Sequence, residues 1–270
     1  MNSLRRRLET MLNFFQWGNY VRLSSRDFRS RWSNGCGLQS GRWCNPGKTR
    51  RRSSRLWRQR GSNADSRVLV DVGAHQGTVT GLFVDLGWSV IAYEPDPSNR
   101  EKFEQRFGSH PRVALSSSAV SDSPAKSASF FTSPVSTGVS TLAAFHESHE
   151  QTTSVDVVTL AEDLRSRGLK NVDFLKIDIE GFDYFALKGF DWTYEPRFVL
   201  YEFENRKTVP QGYSLADSAA FVIEHGYHLV YSVWEPIVEY GTHHEWRGLF
   251  STTAVGRFFV LGECALFSRC

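Results

Sequence analysis

From Val68 onward the sequence predicts a doubly wound α/β sheet, and two observations carry that expectation. Strand-forming runs alternate with helical ones, with glycines punctuating the joints. Acids then fall where four of the predicted strands end: Asp71 and Glu94, Asp178 with Glu180, and Glu202 with Glu204. Ligands of such sheets sit outside the carboxyl ends of the strands, where the strand order reverses. Both the fold and the location of its site are therefore expected from the pattern.

The elements follow in order. Val68, Leu69, Val70 and Val72 suit a strand buried on both faces. In "GAHQG", Gly73 to Gly77, the first glycine permits a tight turn, and the second lets the backbone pack close or face a ligand. Val79, Leu82, Phe83 and Leu86 recur at i, i+3, i+4 and i+7, a helical stripe that stops at Gly87. "WSVIAYEP" is a second strand, and Asp96 with Pro97 opens a helix that ends at Gly108. "RVALSSSAV", Arg112 to Val120, is a third strand running into a polar turn. "SASFFTS" and "SVDVVTL" are accessory strands around a Ser/Thr/Gly-rich loop, Ser133 to Thr141. Thr159 and Glu162 are expected to form a capping box for a short helix ending at Gly168. "VDFLKIDIEG" and "RFVLYEFE" are the fourth and fifth strands. Ser214 and Asp217 cap a helix ending at Gly226, after which "YHLVYSVW" and "GRFFVLG" close the chain as an antiparallel pair.

Composition sets the boundaries. The chain has 270 residues and is 40% hydrophobic, enough for one large domain with an extension. Its net charge of +3 conceals a split: residues 1–66 hold 15 Lys and Arg against 3 acids, a net of +12, and residues 67–270 hold 17 against 26, a net of −9. The division places a basic, poorly ordered extension at 1–66 and the working domain at 67–270. The extension reads first as a poorly ordered tail without a partner, with a targeting segment or a basic arm as the alternatives. "MLNFFQWGNY" within it has the makings of a short interfacial helix. No apolar run reaches the length of a membrane span. Four cysteines, at 36, 44, 264 and 270, form neither a CxxC pair nor a His/Cys ligand set. No metal site is expected from that spacing, and the reducing cytoplasm is the expected compartment.

The ligand follows from the first two strand ends. Glu94 lies 23 residues after Asp71, the offset at which an acid grips ribose hydroxyls. Dinucleotide sites carry GxGxxG, whereas this loop is GxxxG, and an acid at Asp71 would repel a pyrophosphate. The same acid suits an amino group. No GxxxxGK[ST] phosphate loop occurs. S-adenosylmethionine (SAM), with a ribose, an amino group and no phosphate, is the favoured ligand.

With "DVGAHQGTVT", "AYEPDP", "SAVSD", "VDFLKIDIEGFDYFALKGF" and "VLYEFE", the stretch from about Val68 to about Tyr240 resembles the FkbM family of SAM-dependent methyltransferases. The resemblance implies a class I, Rossmann-like fold: a mostly parallel seven-stranded sheet, helices on both faces, and an antiparallel last strand. It implies SAM as donor and a hydroxyl on a saccharide or secondary metabolite as acceptor. Carried over by position, Asp71, Gly73 and Gly77, with Ala74 and His75 between them, hold the methionine end and Glu94 the ribose. Ser118 and Ala119 fall beside the adenine, and Asp178 lies where the fourth strand meets the transferred methyl. His75 departs from the family, which often has Asn there.

An alkyl hydroxyl is a weak nucleophile, so a base that removes its proton helps the transfer. Glu180 and His75 are the candidates, with Asp178 beside them. Paired carboxylates holding a divalent metal, or Glu180 as a simple helix-start acid, are the alternatives. Glu202 is expected to pair with a nearby cation. His243 and His244 read as a polar loop, whose aromatics Trp234, Tyr240 and Trp246 pack or stack on a sugar. A nucleic-acid methyltransferase and a non-catalytic binding protein remain as other classes. The acidic domain, and the missing Asn-Pro-Pro-Tyr motif of amino-methylating enzymes, argue against nucleic acid as acceptor.

Overall fold

β1 (Val68–Val72) is the axis of an eight-stranded sheet, with β2 (Ser89–Tyr93) and β3 (Val113–Ser116) on one side of it. β7 (Phe174–Ile177) and β8 (Phe198–Tyr201) lie on the other side, and all five strands are parallel. The structure, a computed structural model, describes residues 67–134, 138, 140–145, 147–234, 246–252 and 264–269. All of them belong to one unit, Asp65–Tyr240 with Glu245–Cys270. The chain runs outward from β1 to β3 and returns to β7, so the strand order reverses between β1 and β7. This is where a ligand crevice is expected.

Strand periodicity decides what each face buries. Val70, Val72, Leu175, Ile177, Val199 and Tyr201 share one core. Over it lie Leu160 and Leu164 of α3 (Leu160–Ser166), Leu187 of α4 (Asp183–Lys188) and Val222 of α6 (Leu215–Glu224). The alternate residue Phe174 points the other way, its ring 5.2 Å from that of Phe83 on α1 (Thr78–Asp85). Helices thus cover both faces. Each fully buried Leu or Phe in these layers contributes about 1.5–3 kcal/mol.

The predicted caps form. Asp96 accepts the amides of Ser98 and Asn99 ahead of Pro97 on α2 (Pro97–Phe107). Ser214 and Asp217 complete a reciprocal box on α6. Thr159 accepts the Glu162 amide at the start of α3, one of the two bonds of the expected capping box.

Three features go beyond the sequence reading. The stretch Arg112–Val120 splits, because Ser116 ends β3 and only Ala119–Val120 (β4) continues, in a second sheet of order β4-β6-β5. β5 (Ala125–Thr132) and β6 (Glu150–Val158) are the two accessory strands. The main sheet also has eight strands rather than seven. The last one, β11 (Cys264–Arg269), lies antiparallel between β8 and β9 (Tyr227–Trp234), as expected of the class. The eighth, β10 (Trp246–Thr252), adds antiparallel to the free edge of β9, in a segment read as polar loop. Edge pairing is a non-local bond pattern that local periodicity does not reveal.

"GRFFVLG" lies outside the described residues, as do 1–66, "MLNFFQWGNY" and 235–245 with Tyr240, His243 and His244. Among the described residues, no helix is long and apolar enough to cross a membrane.

Candidate active site

The loop after β1 is built for close approach. Gly73 has φ +75°, and a Cβ there would stand 1.9 Å from the carbonyl oxygen of Asp178. Only glycine lets the end of β1 press this closely on the end of β7. Gly77, at φ +78°, meets the rings of Phe107 and Phe103 at 2.5 and 2.8 Å from the same virtual position. Of its two predicted uses, close packing is the one observed: Gly77 seats α2 and does not line the cavity. The amides of Gly73 and Ala74 both donate to the Tyr93 carbonyl, each at 3.0 Å.

His75 also has a positive φ, +51°. Asn and His are among the few side chains that tolerate this left-handed region, so a histidine can stand where the family often has asparagine. The His75 amide donates to Glu94 Oε2 at 2.7 Å, and the Asp96 amide donates to Oε1 at 2.9 Å. Glu94 is 5% exposed and lines the cavity. Burial pushes its carboxyl up to about 7 against those two amides. Burial also lowers the pKa of His75, so its imidazole is neutral and adds no positive charge beside a cationic donor.

A cavity of about 190 Å³ opens at the switch point between β1 and β7. Gly73, His75, Glu94, Ser118, Ala119, Asp178 and Glu180 line it, bringing seven of the predicted residues together. Ala74 and Gly77 lie behind its wall. Asp71 does too: it is fully buried, accepts the Thr80 hydroxyl at 2.7 Å, and pairs with Lys176 Nζ at 3.3 Å. The strand register sets Asp71 opposite Lys176 on the face that α1 covers. Asp71 is thus joined to the cavity wall through Lys176 and does not itself line the cavity.

Lys176 is a site residue that the sequence reading passed over. Its ammonium donates to the carbonyls of Val72 and Gly73 and lies 3.6 Å from Asp178 Oδ2. Burial opposes its charge, but Asp71 and Asp178 hold it protonated. It ties the glycine loop to the carboxylate facing the ligand. The signal was available, since a lysine inside an otherwise apolar strand needs buried partners.

Across the cavity, Glu180 lies three residues before the start of α4 and has φ +58°. The acid in the first turn of α4 is Asp183, which accepts the amides of Gly181 and Glu202. A glutamate in the left-handed region costs about 1–2 kcal/mol and persists only where its surroundings demand it. Burial pushes Glu180 up to about 7, with Lys207 opposing the shift. Oxygens of Asp178, Glu180 and Glu202 come within 4.8 Å of one another, and Lys207 pairs with the last two. Glu202 thus has the cation expected for it. Two buried lysines offset part of the negative rim from within.

The remaining wall comes from the loop between β5 and β6. Ser140 donates to Asp96 Oδ2 at 2.9 Å, and Thr141 donates to the Glu180 carbonyl at 3.1 Å. This loop spans the cavity from the Glu94 side to the Glu180 side, with Phe130 of β5 behind it.

The family model of the methyltransferase FkbM domain matches residues 71–229, more than half of the chain. The chain belongs to the FkbM methyltransferases. This FkbM domain is a SAM-dependent methyltransferase with a class I, Rossmann-like fold. No curated protein matches the sequence. Among solved structures, it is similar to a precorrin-6y C5,15-methyltransferase from Geobacter metallireducens at 14% identity, covering 81% of this chain and 87% of that one, with a TM-score of 0.40. A putative RNA methyltransferase from Pyrococcus horikoshii shares 14% identity over 76% of each chain, with a TM-score of 0.37. Fibrillarin from Aeropyrum pernix, with natively bound SAM, shares 9% over 75% and 66%, also at 0.37.

The FkbM cavity fits that cofactor. A buried carboxylate, Glu94, can accept ribose hydroxyls on its remaining lone pairs, and the half-exposed Asp178 suits a cationic centre. Above pH 7, where its raised carboxyl is ionised, truncating Glu94→Ala is expected to weaken SAM binding about 10- to 100-fold, because a bond to a charged acceptor contributes about 1.5–3 kcal/mol. It should also cost stability, since the amides of His75 and Asp96 lose their acceptor. Calorimetry and thermal melts on the same variant check both effects. An unchanged dissociation constant would remove Glu94 from the donor site.

Proposed function

We propose that this protein transfers the methyl group of SAM to a hydroxyl oxygen of a saccharide or secondary metabolite, with Glu180 as the general base. Gly73 and His75 hold the methionine end of the donor, Glu94 the ribose, and Ser118 and Ala119 the adenine. Asp178 faces the sulfonium side. When bound, SAM supplies a methyl on a sulfonium sulfur, which takes back the C–S electron pair as the acceptor oxygen forms the O–C bond. The protein's part is alignment and proton removal.

One observation carries the reading: the Glu180 carboxylate lines the cavity beside Asp178, with its basicity raised to about 7. A base with that value is partly ionised at neutral pH and strong enough to accept a hydroxyl proton as the oxygen is alkylated. The loop carrying Ser140 and Thr141 supplies hydroxyl groups to the same cavity, which suits a polar, hydroxylated acceptor.

Catalysis is assigned to residues 67–270, with 1–66 as a basic extension, and the reaction to the cytoplasm. The test is incubation with methyl-labelled SAM and separate glycan, small-molecule, lipid and RNA fractions. Label is expected in the glycan or small-molecule fraction, on oxygen. Label in RNA would overturn the acceptor class. Removing residues 1–66 is expected to leave turnover unchanged, whereas an RNA enzyme would lose salt-dependent binding.

A further inference from the structure

Lys207 lies on α5 (Asn205–Thr208), three residues beyond the last acid of "EFE", and its side chain is only 2% exposed. Its ammonium lies 2.5 Å from Glu180 Oε2, 3.1 and 3.0 Å from the two oxygens of Glu202, and 3.0 Å from Glu204 Oε2. The Phe145 ring closes another side, its centroid 5.7 Å away. The three carboxylates are each only 11–14% exposed.

The backbone is shaped around this contact. Gly181 has φ +96°, and a Cβ there would meet Cβ and the carbonyl oxygen of Lys207, both at 3.1 Å. The glycine of "KIDIEG" thus lets the Glu180 turn lie against Lys207. Thr141 and Tyr213 fix the same turn by donating to the carbonyls of Glu180 and Gly181.

Resting on the proposal that Glu180 is the base, we infer that Lys207 is a positioning residue that holds Glu180 and Glu202 as one proton-accepting unit for the acceptor hydroxyl, with Glu204 as a third carboxylate on the same ammonium. Glu180 and Glu202 share one ammonium in a low-dielectric interior and oppose each other's charge, so they titrate as a pair. In the transfer, the hydroxyl proton moves to a Glu180 carboxylate oxygen while the O–H electron pair stays on the acceptor oxygen. The ammonium sets how basic that carboxylate is. Two further acids face the unit: Asp178 from the cavity, and Asp183 from α4, which burial pushes up to about 7. Burial raises Glu202 well above its ordinary range, with Lys207 opposing. These acids act in one direction and Lys207 in the other.

Two variants should therefore move the acidic limb of the pH–rate profile in opposite directions. Lys207→Met removes the opposing charge and should shift the limb upward by about 1 unit or more. Glu204→Gln removes a like charge and should shift it downward. Lys207→Arg keeps the charge and should return the limb toward the parent.

The thermal midpoint of the protein without SAM supplies a readout independent of turnover. A carboxyl whose folded pKa is raised from about 4.5 to about 7 stabilises the fold below pH 4.5, and that stability is lost as pH rises to 7. Lys207→Met should extend the loss to higher pH, and Glu204→Gln should confine it to lower pH. If Lys207→Met does not fold, Glu204→Gln still decides the point through both curves. An inactive Glu180→Gln with no shift of either curve in the cluster variants overturns the role of Lys207 and leaves the base in place. A fully active Glu180→Gln overturns both.

Discussion

Glu180→Gln is expected to lower turnover about 10²–10⁴-fold while leaving the affinity for SAM nearly intact. The substitution preserves size and packing but replaces the oxygen pair that can hold a proton. Lys207 retains Glu202 and Glu204, so no buried ammonium is left without a partner. The burial that raises Glu180 makes its charge a cost to the fold, so a neutral side chain should leave the thermal midpoint close to the parent. Asp178→Asn should behave differently. Asp178 lies 3.6 Å from the lysine that ties down the donor loop, so donor binding and turnover should fall together. Kinetic constants and melting curves for both variants, with and without magnesium, separate these outcomes. A fully active Glu180→Gln enzyme would end the case for this residue as base. Activity lost to a chelator and restored by metal would convert the acids from proton transfer to ligation.

Gly73→Ala is expected to be the most damaging small substitution in the donor loop. A methyl group there meets the Asp178 carbonyl at 1.9 Å, and the backbone sits at φ +75°. Overpacking costs about 1–3 kcal/mol, and the left-handed conformation adds about 1–2 kcal/mol. For a domain of this size, a loss of about 2–5 kcal/mol lowers the melting temperature by roughly 5–20 °C. SAM affinity should fall as well, because the loop carries the His75 amide that holds Glu94. Gly212→Ala is the control. Gly212 has φ +84° with nothing within 4 Å of the added carbon, so it bears the conformational cost alone. Equal losses at the two positions would show that the contact with β7 contributes nothing.

Much of the cavity lining was legible in the residues. Glu94 at its offset from Asp71, the GxxxG loop and the acids at the end of β7 all converge on one cavity. The carboxyl ends of parallel strands must meet there once the sheet is doubly wound. Asp71 lies behind the cavity wall, paired with Lys176, and that depth was not legible. An acid at a strand end reads the same whether it faces solvent or a helix, and the strand's parity relative to α1 decided the matter. The charge cluster around Lys207 was hidden. Lys207 looks like an ordinary surface lysine in "ENRKT", and only the fold brings it to Glu180, 27 positions earlier in the chain.

The sequence by itself determined the α/β class, the helix caps, the donor and the family, because each rests on short-range spacing that the backbone geometry translates directly. The tertiary structure alone decided the eighth strand, the wall carrying Ser140 and Thr141, and the distribution of buried charge over Lys176 and Lys207. These depend on which distant segments share a low-dielectric interior. In that interior a lysine or glutamate is tolerated only with partners that sequence neighbours do not supply.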